Sequence, residues 1–201
     1  MNLKKRTNYL FLFLILSGLL TPVCFAEIKV QEGSRSLYKL SNDAGKIFYV
    51  EYSVIEKIGE NIWIQAQVKD TTEKEPLLIS QMLVDNPNEL LPIKMLIKPR
   101  EDQPRWVSAE GASAMQGVVV PISEERAMIS GKDVNKVAVT IDAGKFQCVH
   151  IKDELAETWV CNEVSPLAIV KLRTKDGTNM ELLSYFESGA KDLIPDKPKE
   201  Q

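Results

Sequence analysis

The sequence predicts one β-dominated α+β domain of about nine to eleven antiparallel strands. Three observations lead there. Period-two alternation of apolar and polar residues recurs in successive short segments joined by turn residues. Neighbouring segments can be paired so that their apolar sets meet on one face. No stretch of helical periodicity separates two strands in the way a βαβ unit requires, and no amphipathic pattern exceeds three turns.

The first 26 residues stand apart from that domain. Lys4-Lys5-Arg6 make a basic start, an uncharged apolar run extends from Tyr9 to Leu20, and Thr21 to Ala26 closes with a small residue before Glu27. That layout is expected of a secretory signal peptide, and the run is shorter than a membrane span of about 20 residues. Export to a bacterial periplasm is expected, with cleavage after Ala26. Acylation of Cys24 is not expected. A lipoprotein signal has Leu three residues before its Cys and a small residue just before it, and here Thr21 and Val23 stand there. No later apolar run offers a membrane anchor. The remaining 175 residues suit a single domain, residues 27–193, followed by a flexible tail, 194–201. Residues Glu27–Arg35 read as a loose beginning.

From Ile47 to Val68 the alternation is clear. Phe48, Val50, Tyr52, Val54 and Ile58 share one face; after Gly59-Glu60-Asn61, Ile62, Ile64, Ala66 and Val68 do the same. A three-residue loop pairs Ile58 with Ile62, Val54 with Ala66 and Tyr52 with Val68, with Asn61 in the left-handed position. A two-residue loop would put the apolar sets on opposite faces. Further strands are expected at Leu77–Val84, Pro92–Lys98, Arg105–Ser108, Val137–Ile141 and Phe146–Ile151. Glu110–Gln116, rich in Ala, and Glu124–Ile129 read as short helices. Near the carboxyl end Val170, Leu172 and Thr174 lead into Lys175-Asp176-Gly177. With those three as the loop, Leu172 faces Met180 and Gly177 takes the left-handed place of a type I turn with bulge.

Removing the leader leaves two cysteines, Cys148 and Cys161, on segments flanking the polar loop Lys152–Glu157. If Cys148 faces Cys161, then Val149 meets Val160 and His150 meets Trp159. Directly opposed Cβ atoms lie about 4.5–5.5 Å apart, within reach of a disulfide. The alternative is a pair of reduced, buried thiols. A redox centre would keep its cysteines two residues apart at a helix start, and zinc would need four ligands where only His150 is near.

Little else carries chemistry. His150 is the single histidine and reads as a residue packed in the sheet. No Ser–His–Asp set, HExxH or Gly-x-Ser-x-Gly motif can be assembled. Two Ser-x-x-Lys matches, Ser36…Lys39 and Ser188…Lys191, lack their accompanying boxes. Neither a catalytic residue, a cofactor site nor a metal site is expected, and the protein is read as no enzyme. The mature chain would hold 22 basic and 28 acidic residues, without a basic stripe, so nucleic acid is not an expected partner.

The carboxyl third reads Gly144-Lys145-Phe146-Gln147-Cys148, then Thr158-Trp159-Val160-Cys161, Val164-Ser165-Pro166, Val170-Lys171-Leu172 and Met180-Glu181-Leu182-Leu183-Ser184-Tyr185. This order resembles a group of exported bacterial proteins of unknown function, similar in architecture to the periplasmic lipoprotein carriers. The resemblance is clearest over Gly144–Tyr185. It implies a strongly curved antiparallel sheet, or incomplete barrel, with short helices on its concave face. It also implies a non-enzymatic carrier-like protein holding an apolar ligand, such as a lipid or a lipidated partner, around Phe146, Val149, Ile151 and Val160. The chain departs from the carriers in its cysteine pair and in lacking a long amino-terminal helix. The alternative is a cell-envelope interaction or assembly protein without a small-molecule pocket, in which an edge strand such as Leu77–Val84 is capped by a partner's strand.

Overall fold

The structure is a computed structural model, and it describes residues 30–85, 92–108 and 136–199. Eleven strands follow in chain order: β1 Arg35–Ser41, β2 Ile47–Ile58, β3 Asn61–Asp70, β4 Leu78–Val84, β5 Pro92–Pro99, β6 Arg105–Trp106, β7 Lys136–Ile141, β8 Gly144–Lys152, β9 Ala156–Val160, β10 Ile169–Thr174 and β11 Asn179–Phe186. They form one antiparallel sheet in the order β6-β5-β4-β3-β2-β1-β11-β10-β9-β8-β7. Two meanders thus run outward from a central seam, where the first strand pairs with the last. Arg35 lies opposite Phe186 and Leu40 opposite Met180 across that seam.

The main core lies along one face of this sheet. Tyr38, Val50, Tyr52, Ala66, Val68, Met180 and Leu182 are fully buried there, brought into line by successive pairings such as Tyr38 with Val50 and Val50 with Val68. Burying each large apolar side chain stabilises by about 1.5–3 kcal/mol. At the seam the Tyr38 hydroxyl donates to the Ile169 carbonyl at 2.9 Å, and the Tyr38 and Tyr52 rings meet edge to face at 5.9 Å. Burial pushes both phenols well above their ordinary pKa, so they stay neutral at any physiological pH.

The sheet is strongly curved and open. In a flat sheet β8 would stand about 14 Å from β11, three strands away. Yet the Phe146 and Tyr185 rings are 6.0 Å apart, and β7 also reaches β11. The two end strands, β6 and β7, do not pair with each other, so the curl stops short of a barrel. The expected fold class needs a correction here. No helix occurs among the described residues, so none of them lines the concave face as a helix; Glu110–Gln116 and Glu124–Ile129 lie outside the described residues. Among the described residues the cover comes from the curl and from the bend between β9 and β10. That bend, which contains a cis Ser165–Pro166 bond, sends Val164 and Leu167 into the core. Its ends are tied by Cys161 N–H to Ala168 C=O at 2.7 Å and Ala168 N–H to Val164 C=O at 2.6 Å.

The β2–β3 hairpin also differs from its expected register. Ile58 pairs with Asn61, so the loop is only Gly59-Glu60, and Gly59 (φ 63°) takes the left-handed position assigned to Asn61. A register shift between Val54 and Glu56 leaves Ile55 unpaired. The extra residue reverses the parity that a two-residue loop would otherwise impose. Val54 therefore faces Ile64 and Tyr52 faces Ala66, and the apolar sets still meet; Ile58, beyond the bulge, is 53% exposed. Leu78–Val84 is not an edge strand either, since β4 pairs with β3 on one side and β5 on the other.

The β10–β11 hairpin matches its expected register, with Leu172 opposite Met180. Gly177 (φ 83°) closes the turn, its N–H bonding to Thr174 C=O at 3.2 Å while Thr174 N–H bonds to Thr178 C=O at 2.9 Å. A Cβ added at Gly177 would also meet the Asp43 carboxylate at 2.0 Å. Gly177→Ala should therefore cost about 1–2 kcal/mol, mainly from the left-handed backbone, as a lower urea midpoint. In the same turn the Thr174 hydroxyl bonds to the Asp176 carboxylate and holds it below the usual carboxylate range. The sign follows from that depression. The contribution is full above the ordinary Asp pKa and fades as pH falls through the lowered one. Asp176→Asn should lose under about 1 kcal/mol at neutral pH, and denaturation in acid should show the two proteins converging.

Candidate functional site

The disulfide hairpin is the region where sequence-derived chemistry and structure meet. β8 and β9 pair with Val149 opposite Val160 and His150 opposite Trp159, as the alternation requires. One step further along, Cys148 and Cys161 are joined by a disulfide across Cα atoms 4.7 Å apart. Both sulfurs belong to buried residues, 0% and 3% exposed, inside the main core cluster. A buried bridge between strands is shielded from thiol exchange, so it staples structure.

The apolar residues expected to surround a ligand are buried against protein. Phe146 and Cys148 join the main core. Ile151 and Val160 pack with Ala168, Val149 and Val30 in a second, smaller cluster. A shallow surface dimple with no enclosed space lies elsewhere, between Leu40, Ser41, Asn42, Lys46, Phe48 and Thr178 at the mouth of the seam.

His150 is not packed within the sheet; it is exposed, and its imidazole stacks on the Trp159 indole at 4.5 Å with an interplanar angle of 11°. The Arg173 guanidinium lies 5.8 Å from the same indole. Beside them the Lys152 ammonium pairs with Glu157 and holds its carboxyl below the usual range, and Lys171 pairs with Glu181 at 3.0 Å. The arrangement presents a rigid aromatic pair bordered by charges of both signs. Such a surface can stack on and hydrogen-bond to a partner; it has no nucleophile–base pair.

The remaining sequence matches do not assemble. Ser36 is buried on β1 while Lys39, three residues on, is exposed on the opposite face. Among the described residues no three His, Cys, Asp or Glu side chains cluster closely enough to hold a metal ion. The alternation missed a different set. Gln65 on β3 and Gln81 on β4, placed by parity on the polar face, are 2% and 0% exposed. Their signal was the absence of charge in Trp63-Ile64-Gln65 and Ser80-Gln81-Met82, amid strands otherwise flanked by Lys and Glu.

No protein-family model and no curated protein matches the chain. Among solved structures the chain is similar to a "putative lipoprotein" from Parabacteroides distasonis ATCC 8503, at 10% identity and a TM-score of 0.37, over 77% of this chain and 95% of that one. That likeness is too distant to bear on activity.

The bridge closes a loop with a sequence separation of 13. Cys148→Ser with Cys161→Ser should lower stability by about 2–3 kcal/mol while keeping the β-sheet circular-dichroism spectrum. Mass measurement with thiol alkylation should show labelling at both positions only after reduction.

Proposed function

We propose that this is an exported, non-enzymatic binding protein of the cell envelope that works through contacts at its surface. Export is supported by the leader pattern of residues 1–26 and by the Cys148–Cys161 bridge, a bond that persists in oxidising compartments. The observation that carries the mode of action is the stack of exposed His150 on half-buried Trp159 with Arg173 at its side. Large aromatics and Arg are the residues that anchor protein–protein contacts, and here they are held rigidly by the β8–β10 ladder. The reading as a carrier of an apolar ligand draws less support, because Phe146, Ile151 and Val160 are taken up in the protein's own clusters.

A photo-crosslinking amino acid introduced at Lys152 or Arg173 in periplasmic protein tests this. A single stoichiometric partner should be captured, and His150→Ala should reduce its yield several-fold without changing the urea midpoint by more than that of a surface substitution, about 0.5 kcal/mol. Native mass spectrometry of the same material separates the readings. A co-purifying lipid with no protein partner would favour the carrier instead.

A further inference from the structure

The segment after β11 was read from sequence as a flexible tail from residue 194, yet its described part, to Lys199, lies against the outer face of β3–β5. Ala190 N–H still bonds to Gly33 C=O at 2.9 Å; beyond it the described residues make no ladder with any strand. Side chains hold it instead. The Gln65 amide donates to Lys191 C=O at 3.0 Å and accepts from Leu193 N–H at 2.9 Å, reading the main chain on either side of Asp192. Gln81 donates to the Asp192 carboxylate at 2.6 Å and to Gln65 Oε1 at 3.1 Å. Ile194, 2% exposed, fills an apolar socket between Ile79 and Leu96. Trp106 then donates its indole N–H to Pro198 C=O at 2.9 Å, and the Lys197 ammonium sits 4.6 Å over the Trp63 ring.

We propose that this face is a peptide-binding site, occupied in cis by the chain's own segment Lys191–Pro198. Its ligand class is an extended peptide with a carboxylate two residues before an aliphatic side chain, followed by Pro. Three features fit recognition better than core packing. The polar contacts go mostly to main-chain atoms, at Lys191, Leu193 and Pro198, as they would for any extended peptide. Two buried glutamines in the middle of adjacent strands would otherwise cost desolvation without return. Gln81 Oε1 also remains fully buried without a partner, an acceptor that a ligand bearing one more donor would satisfy. Because no ladder bond has to break, the tail can leave while the sheet stays intact, and a partner peptide binds by displacing it. The site lies on strands remote from the His150–Trp159 stack, and the inference does not depend on that surface.

The test uses the full chain and a fluorescently labelled synthetic peptide spanning residues 190–201. Against the natural protein the tethered tail competes at an effective concentration of the order of 1 mM, so half-saturation should lie near or above that value. Ile194→Asp loosens the tail and should lower the half-saturating concentration at least about ten-fold. The peptide carrying the same Ile-to-Asp change should bind neither protein. Ile194→Ser serves as a milder second variant. Folded variants that take up no peptide, or that bind the altered peptide equally well, would overturn the proposal. So would unfolding of both variants, which would make the tail part of the core and not a ligand.

Discussion

A sheet of eleven strands with one continuous apolar face must hide that face from water, and this protein does so largely by bending the sheet upon itself. The seam between β1 and β11 makes the bend possible. It joins two meanders that would each be a few strands of half-covered sheet, and it brings residues about 145 positions apart into register. Tyr38 sits at that seam with its ring in the core and its hydroxyl committed to Ile169 on β10. The same side chain thus fastens the amino-terminal strand to the carboxyl-terminal meander. Closing so long a loop carries an entropic cost that local hairpins do not, and only the apolar area buried along the whole face offsets it.

The curl has a second consequence, because it leaves different outer faces at the two ends. On β3 and β4 the outer face is covered by the segment after β11, so these strands are buried on both sides and carry uncharged amides where a solvated strand would carry charge. At the β8–β10 end, aromatic and charged side chains pair with one another across the strands instead. The disulfide ties β8 to the start of the bend that sends Val164 and Leu167 into the core, so this hairpin and the closure of the core share one anchor.

Much of this was legible in the residues because the signals are local. With Cys148 set opposite Cys161, cross-strand parity placed His150 opposite Trp159, and the Lys175-Asp176-Gly177 turn declared its own register through Gly177. The β2–β3 hairpin shows where parity stops. A bulge at Ile55 changes which residues face each other while leaving the alternation unbroken on each side, so the pattern fits a three-residue loop as well as a two-residue loop with a bulge. The tail was missed for a related reason. Ile194 is a lone aliphatic among polar residues and prolines, and its burial depends on a socket supplied by Ile79 and Leu96, about a hundred residues earlier.

By itself the sequence determined most of the strand-forming segments, their apolar faces, the Lys175-Asp176-Gly177 turn and the pairing of the two cysteines, because each depends on side-chain period or on residues close in the chain. Only the tertiary structure decided which strands are neighbours across the β1–β11 seam, that β4 is interior, that Val164 and Leu167 cover the core, and that Gln65 and Gln81 grip the tail. Those outcomes depend on the shared burial of surfaces brought together from distant parts of the chain, and no local pattern records which surface will meet which.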